Sequence, residues 1–237
     1  MSLVRVVADV FAENCYVVIS EGRALVIDPG AGTAATVHHH IEEAGATLEA
    51  VLLTHGHPDH TWDAATLAGD LPVYVPAPDL YRLDDPLGVR NTALRSVLTD
   101  QLVSLFGEPW TRPANVLEVP PALFEGSGAT IAGVPLRAIP APGHTEGSTL
   151  YLTEGTWDDG VGSWVGKSAG TAPLAFSGDV IFKQGIGRTD LPGGDENVMA
   201  WTLRTLRSVI NPRTWLLPGH GPGTTMAEEL ASNPFLR

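Results

Sequence analysis

The sequence predicts an α/β fold, on three observations. Along the N-terminal half, short β-rich runs alternate with helical patterns, the signature of strands layered with helices. After residue 115, short apolar runs resume and keep returning to within about twenty residues of the end. The 237 residues, 43% of them hydrophobic, suffice for one continuous core. The expected organisation is a single domain over 1–237 with a helical insertion around 86–113.

Leu3 to Ala8, Cys15 to Ser20 and Arg23 to Ile27 read as strands separated by polar or Gly-containing turns. A helix follows from Thr33, read as its N-cap, to Ala44, and Gly45 stops it. Val51-Leu52-Leu53 is a short strand running directly into Thr54-His55-Gly56-His57-Pro58-Asp59-His60. A brief helix from Ala64 and a strand at Val73 to Val75 continue the alternation. Val89, Leu94, Val97, Leu98, Leu102, Leu105 and Phe106 then recur at helical spacing, which makes the insertion a candidate wall or lid. Later strands are expected at Val116 to Val119, Thr130 to Ile131, Leu136 to Ile139, Ser148 to Leu152, Ala172 to Phe176 and Thr214 to Leu217. Gly155 to Gly170 reads as a surface loop. Asp195 to Val209 reads as a helix packed through Val198, Leu203, Leu206 and Val209, and a last helix starts at Thr225.

The formal charge of -13 repels polyanions, so nucleic acid is a poor partner. No apolar run is long enough to cross a membrane and the N-terminus lacks a signal-peptide pattern, so the expectation is a soluble, cytoplasmic protein. Cys15, the single cysteine, lies in an apolar strand and reads as an inert core thiol. Oligomeric state is not legible in these features.

Zinc and similar cations favour imidazole nitrogen and carboxylate oxygen. His55, His57, Asp59 and His60 place four such groups within six residues, just after a strand. Alternate residues such as His55 and His57 can point the same way from an extended segment, leaving Asp59 and His60 to face a neighbouring position. Three further candidates stand in glycine-flanked loops: His144 in Pro142-Gly143-His144, Asp179 in Ser177-Gly178-Asp179, and His220 in Pro218-Gly219-His220-Gly221. Each alone reads as a loop residue; together they read as a ligand set. His38-His39-His40 does not, because consecutive helical residues point about 100° apart. Trp157, Trp164 and Trp201 are read as packing residues, with pocket lining the alternative.

With these residues in place the sequence resembles the metallo-β-lactamase superfamily, whose HxHxDH signature is His55-Gly56-His57-Pro58-Asp59-His60. The resemblance implies a four-layer αββα sandwich with two divalent metals at one edge, zinc first, with iron or manganese as alternatives. By that match His55, His57 and His144 hold the first metal, Asp59, His60 and His220 the second, and Asp179 bridges them. Asp28 matches an early aspartate that supports the histidine loop without touching metal.

Gly178-Asp179-Val180-Ile181-Phe182, Gly187-Arg188-Thr189-Asp190 and Pro218-Gly219-His220-Gly221-Pro222-Gly223-Thr224-Thr225 resemble the short bacterial glyoxalase II-like group. The implied activity is hydrolysis of small-molecule thioesters, those of glutathione and 2-hydroxy acids in that group, by a metal-bound hydroxide, with Asp59 orienting it and accepting its proton. Arg188 matches a basic substrate-binding position, and Asp190 stands where that group often has an aromatic residue. The main rival is a mononuclear iron persulfide dioxygenase, whose facial triad matches His55, His144 and Asp179. A lactamase-like hydrolase and a non-catalytic metal-binding protein rank lower.

Overall fold

In the strands β1 (Ser2–Val7), β2 (Asn14–Ser20), β3 (Arg23–Ile27) and β4 (Thr47–Leu52), side chains of both faces are buried, and the two faces enter different cores. Tyr16, Val18, Leu25, Ile27 and Leu52 face one core, while Cys15, Val17, Ala24, Val26 and Val51 face another. A sheet covered on both sides follows from this period-2 pattern. We describe the protein from a computed structural model covering residues 1–87, 92–156 and 170–237, with backbone alone for 92–95.

β5 (Val73–Val75) and β6 (Val116–Glu118) complete the first sheet in the order β1-β2-β3-β4-β5-β6. It is antiparallel from β1 to β3 and parallel from β3 to β6. The second sheet runs β14-β13-β10-β9-β8-β7. Its strands are β7 (Ala129–Ile131), β8 (Val134–Pro140), β9 (Thr149–Gly155), β10 (Ala172–Gly178), β13 (Trp215–Pro218) and β14 (Thr224–Thr225). Strands β11 (Ile181–Phe182) and β12 (Gly185–Ile186) form a small separate hairpin, which the sequence reading did not include.

The inner core joins Tyr16, Leu25 and Leu52 of the first sheet to Leu136, Tyr151, Phe176 and Leu217 of the second. Helices α1 (Ala34–Glu43) and α3 (Ala64–Ala68) cover the first sheet through Val37, Ile41, Ala64 and Leu67. Helices α5 (Glu196–Val209) and α6 (Met226–Ser232) cover the second through Met199, Leu203, Leu206 and Met226. The result is the αββα sandwich. A one-turn helix α2 (Pro58–Thr61) carries the end of the histidine motif, and α4 (Thr92–Phe106) lies within the predicted insertion.

Several local expectations need correction. Thr33 stands at the N-cap position of α1 but makes no side-chain cap; its hydroxyl donates to Gly30 O at 2.7 Å, and Asp63 accepts from Ala34 N instead. The buried stripe of α5 is Met199, Thr202, Leu203 and Leu206, whereas Val198 and Val209 face solvent. Valine at a helical spacing misled because one face of α5 is apolar without being covered. Trp201 is also exposed. Val89, Trp157, Trp164 and nearly all of the Gly155 to Gly170 loop lie outside the described residues, as does the side chain of Leu94. Among the described residues no helix is long and apolar enough to cross a membrane.

Candidate metal centre

Strand β4 ends at Leu52, and Leu53 N still donates to Tyr74 O, so the chain leaves the sheet extended. His57 keeps an extended backbone, and Pro58, at the first position of α2, starts the helical turn that carries Asp59 and His60. His55 and His57 therefore leave a strand-like segment and Asp59 and His60 a helical one. The remaining candidates follow the ends of β8, β10 and β13 in the second sheet. The centre lies at the edge between the sheets.

All seven predicted ligands meet there. His55 Nε2 lies 3.2 Å from His57 Nδ1, which lies 2.8 Å from His144 Nε2. His220 Nε2 lies 3.3 Å from Asp59 Oδ2. Asp179 stands between the two groups, with Oδ1 3.3 Å from His60 Nε2 and Oδ2 3.6 Å from both His144 Nε2 and His220 Nε2. Two sets, His55-His57-His144 and Asp59-His60-His220, each have ligand atoms within 4.8 Å of one another.

Partners on the far nitrogen fix four of the five imidazoles. His144 Nδ1 donates to Arg188 O at 2.7 Å and His220 Nδ1 to Phe11 O at 3.1 Å. Thr54 Oγ1 spends its proton on Asp28 Oδ2 at 2.6 Å, so it accepts from His55 Nδ1 at 3.1 Å. His60 Nδ1 donates to Asp28 Oδ2 at 3.1 Å. Each bond turns Nε2 into the centre, the arrangement that orients metal-binding histidines.

The residues present fit divalent cations. Three imidazole nitrogens in sequence at 3.2 and 2.8 Å share too few protons to satisfy one another. His60 Nε2 and Asp179 Oδ1 are buried without any hydrogen-bond partner, the kind of atom that is costly to leave unmatched. Burial, reinforced by the neighbouring His144, pushes the His57 pKa down to about 3, so its ring is neutral and able to ligate. Burial likewise holds His55 well below the usual value. At His60 burial opposes the cation, but Asp179 and Asp59 outweigh it and raise the pKa well above the usual value. Burial alone would raise Asp59 and Asp179, yet His60 beside them holds both lower than an ordinary aspartate.

Asp28 lies behind the histidine loop. It accepts from Thr54 N at 2.7 Å, Thr54 Oγ1 and His60 Nδ1. It lies close enough to His55 and His60 to form a further cluster, but its oxygens are already occupied by these donors. Its φ of +50° is a strained value for a non-glycine residue. Glycine is needed where backbone meets this crowd: a Cβ on Gly219 would collide with Asp179 Oδ1 and His60 Cε1.

Three buried charged residues escaped the sequence reading. Asp79 accepts from Gly56 N at 2.8 Å, Thr145 Oγ1 at 2.7 Å and Gly147 N at 2.8 Å, tying the His55–His57 loop to the His144 loop. Arg82 stands 3.4 Å from Asp79 and donates to Glu146 and Pro192 O at 2.7 Å each. Glu13 is fully buried behind His60, 3.8 Å from its Nδ1, and burial pushes its carboxyl well up. Asp79 follows a strand end, but in Pro76-Ala77-Pro78-Asp79 nothing distinguishes it from a surface turn acid.

A cavity of 680 Å³ opens over the centre, with His57, Asp59, His144, Asp179 and His220 in its floor. Helix α4 lends it Leu98, Leu102 and Phe106, and Arg188 also lines it. Both Nε and a terminal nitrogen of Arg188 donate to the Asp190 carboxylate at 2.7 Å, and both side chains are exposed.

Residues 8–156, more than half the chain, match the model of the metallo-beta-lactamase superfamily. The chain belongs to the metallo-beta-lactamase superfamily. Its relatives within the superfamily include the probable metallo-hydrolase YqgX of Bacillus subtilis, 33% identical over 94% of this chain and 92% of the relative. The hydroxyacylglutathione hydrolase GloC of Haemophilus influenzae is 31% identical over 95% of this chain and 93% of its own length. Among solved structures, TTHA1623 in a di-iron-bound form superposes with a TM-score of 0.70 at 30% identity, covering 98% of this chain and 99% of that one. Membership of this metallo-hydrolase superfamily and the His-rich centre together support a metal-dependent hydrolase that binds divalent metal.

Proposed function

We propose that the protein is a thioesterase of the glyoxalase II type, cleaving 2-hydroxyacyl thioesters of a small thiol with two divalent metals, zinc in the first place. The observation that carries this reading is the pairing of two ligand sets across Asp179: His55, His57 and His144 on one side, Asp59, His60 and His220 on the other. When bound, such a metal pair lowers the pKa of a water and polarises the carbonyl under attack. Asp59, ionised and facing the cavity beside His220, accepts the proton that the water gives up. The cavity walls hold the thioester over this floor and limit water to the reacting face. The likeness to GloC supports the thioester class.

A mononuclear iron dioxygenase requires only His55, His144 and Asp179, which leaves Asp59, His60 and His220 without a task; that second set favours hydrolysis. Metal quantification with a thioester screen including S-lactoylglutathione tests the reading, with oxygen uptake on glutathione persulfide measured in parallel. Two metals per chain and thioester turnover are expected, and Asp59→Asn should lower kcat by roughly 10²- to 10⁴-fold at full metal content. Absence of thioester turnover at full dimetal occupancy, or oxygen uptake with one iron per chain, overturns it.

A further inference from the structure

The wall of the cavity differs in chemistry from its floor. Above the ligands it is built from Phe11, Leu98, Leu102, Phe106, Phe182 and Ile186. Among the described residues lining it, Arg188 is the one permanent cation, and its guanidinium is engaged by Asp190 through paired hydrogen bonds of 2.7 Å. A thiol carrier with carboxylates would bring anions onto an apolar wall of a protein with a net charge of -13.

The apolar wall is assembled by specific contacts. The Phe106 ring stacks on Trp62 at 4.1 Å, and Trp62 stands two residues after the ligand His60. Phe11 meets the Phe106 edge at 6.0 Å. Phe11 is held at φ +58°, a conformation unusual for a bulky residue, and is 58% exposed at the mouth. An exposed aromatic ring held in strained backbone at a cavity mouth is the kind of feature that a ligand contact explains.

Resting on the thioesterase reading, we infer that the substrate carries an uncharged apolar arm, on its acyl or its thiol side, which packs against Leu98, Leu102 and Phe106 of α4. These α4 side chains are specificity-determining residues for that arm. The source of the arm is separated by varying one side of the thioester at a time.

The test compares kcat/KM of the metal-loaded protein on lactoyl thioesters of benzyl mercaptan and of glutathione, and on hexanoyl and acetyl thioesters of one short thiol. At least a tenfold preference for the apolar partner in one of the pairs is expected, the scale of one or more added apolar contacts in a pocket. Leu102→Gln should reduce that preference about tenfold, and Leu102→Met should retain it. Calorimetric binding of the matching non-hydrolysable thioethers gives a readout independent of turnover: the apolar thioether binds tighter, and Leu102→Gln abolishes the difference. Preference for the glutathione thioester over every apolar one, or equal loss on all substrates in Leu102→Gln with unchanged thioether discrimination, overturns the inference. Apolar thioether binding without thioester turnover overturns the reaction class while supporting the apolar arm.

Discussion

At and beneath the floor of the cavity each of His55, His60, His144 and His220 is tied by a hydrogen bond on its far nitrogen, and Asp28 and Asp79 each accept three hydrogen bonds, the one from His60 among them, from the histidine loops or their neighbours. Over the same cavity, α4 contributes Leu98, Leu102 and Phe106 and turns Val97 and Leu105 to solvent, held to the body by the stacking of Phe106 on Trp62. Directional bonds in a buried setting have few alternative arrangements, so loss of one partner strands another. Apolar contacts have no direction, and swaps that preserve volume are tolerated. The floor therefore fixes the chemistry and the wall can change what enters, with different costs for the same single substitution.

Asp79→Ala should show the largest effect. It removes the acceptor for Gly56, Thr145 and Gly147 and leaves Arg82 without its buried partner, for a loss of about 3–5 kcal/mol in denaturant unfolding together with lowered metal content. Unchanged stability would mean that the two loops are held by something other than this carboxylate. A smaller effect concerns the metal-free protein and pH. The His60 pKa is raised in the fold, so its contribution is fully present below the unfolded value of about 6.5 and is lost as pH rises through the folded pKa. The Tm of metal-free protein should fall over that rise, and divalent metal should abolish the dependence. A metal-free Tm that climbs across the same window would contradict the sign. Leu102→Gln should be mildest, within about 1 kcal/mol of wild type and with full metal content, because Leu102 is half-buried on a wall and no ligand leans on it. Metal loss in this variant would erase the distinction between floor and wall.

The same contrast explains what the sequence made legible. His55 to His60, His144, Asp179 and His220 stand out because ligand chemistry needs particular atoms, and glycines beside them announce close approach. Period-2 burial made most strands readable, and Arg23 to Ile27 and Val73 to Val75 match the observed ends. β4 begins four residues before the apolar run that signalled it, since Thr47 and Leu48 pair with β3 and Glu49 lies at the register shift that follows, none of the three being buried. Asp79, Arg82 and Glu13 were illegible for another reason. A charged residue in sequence reads as surface, and their burial arises from loops distant along the chain meeting in space. In α5, Val198 and Val209 show the converse, apolar residues at a helical interval that face solvent.

Phe11 belongs to both regions through different parts of one residue. Its carbonyl oxygen accepts from the candidate ligand His220, and its ring meets Phe106 across the mouth. Replacing the side chain leaves the carbonyl where it is, provided that the new residue accepts a positive φ. Position 11 is thus a place where a library of variants can sample entrance chemistry at constant ligand chemistry, with Asn and Gly the substitutions most compatible with the backbone.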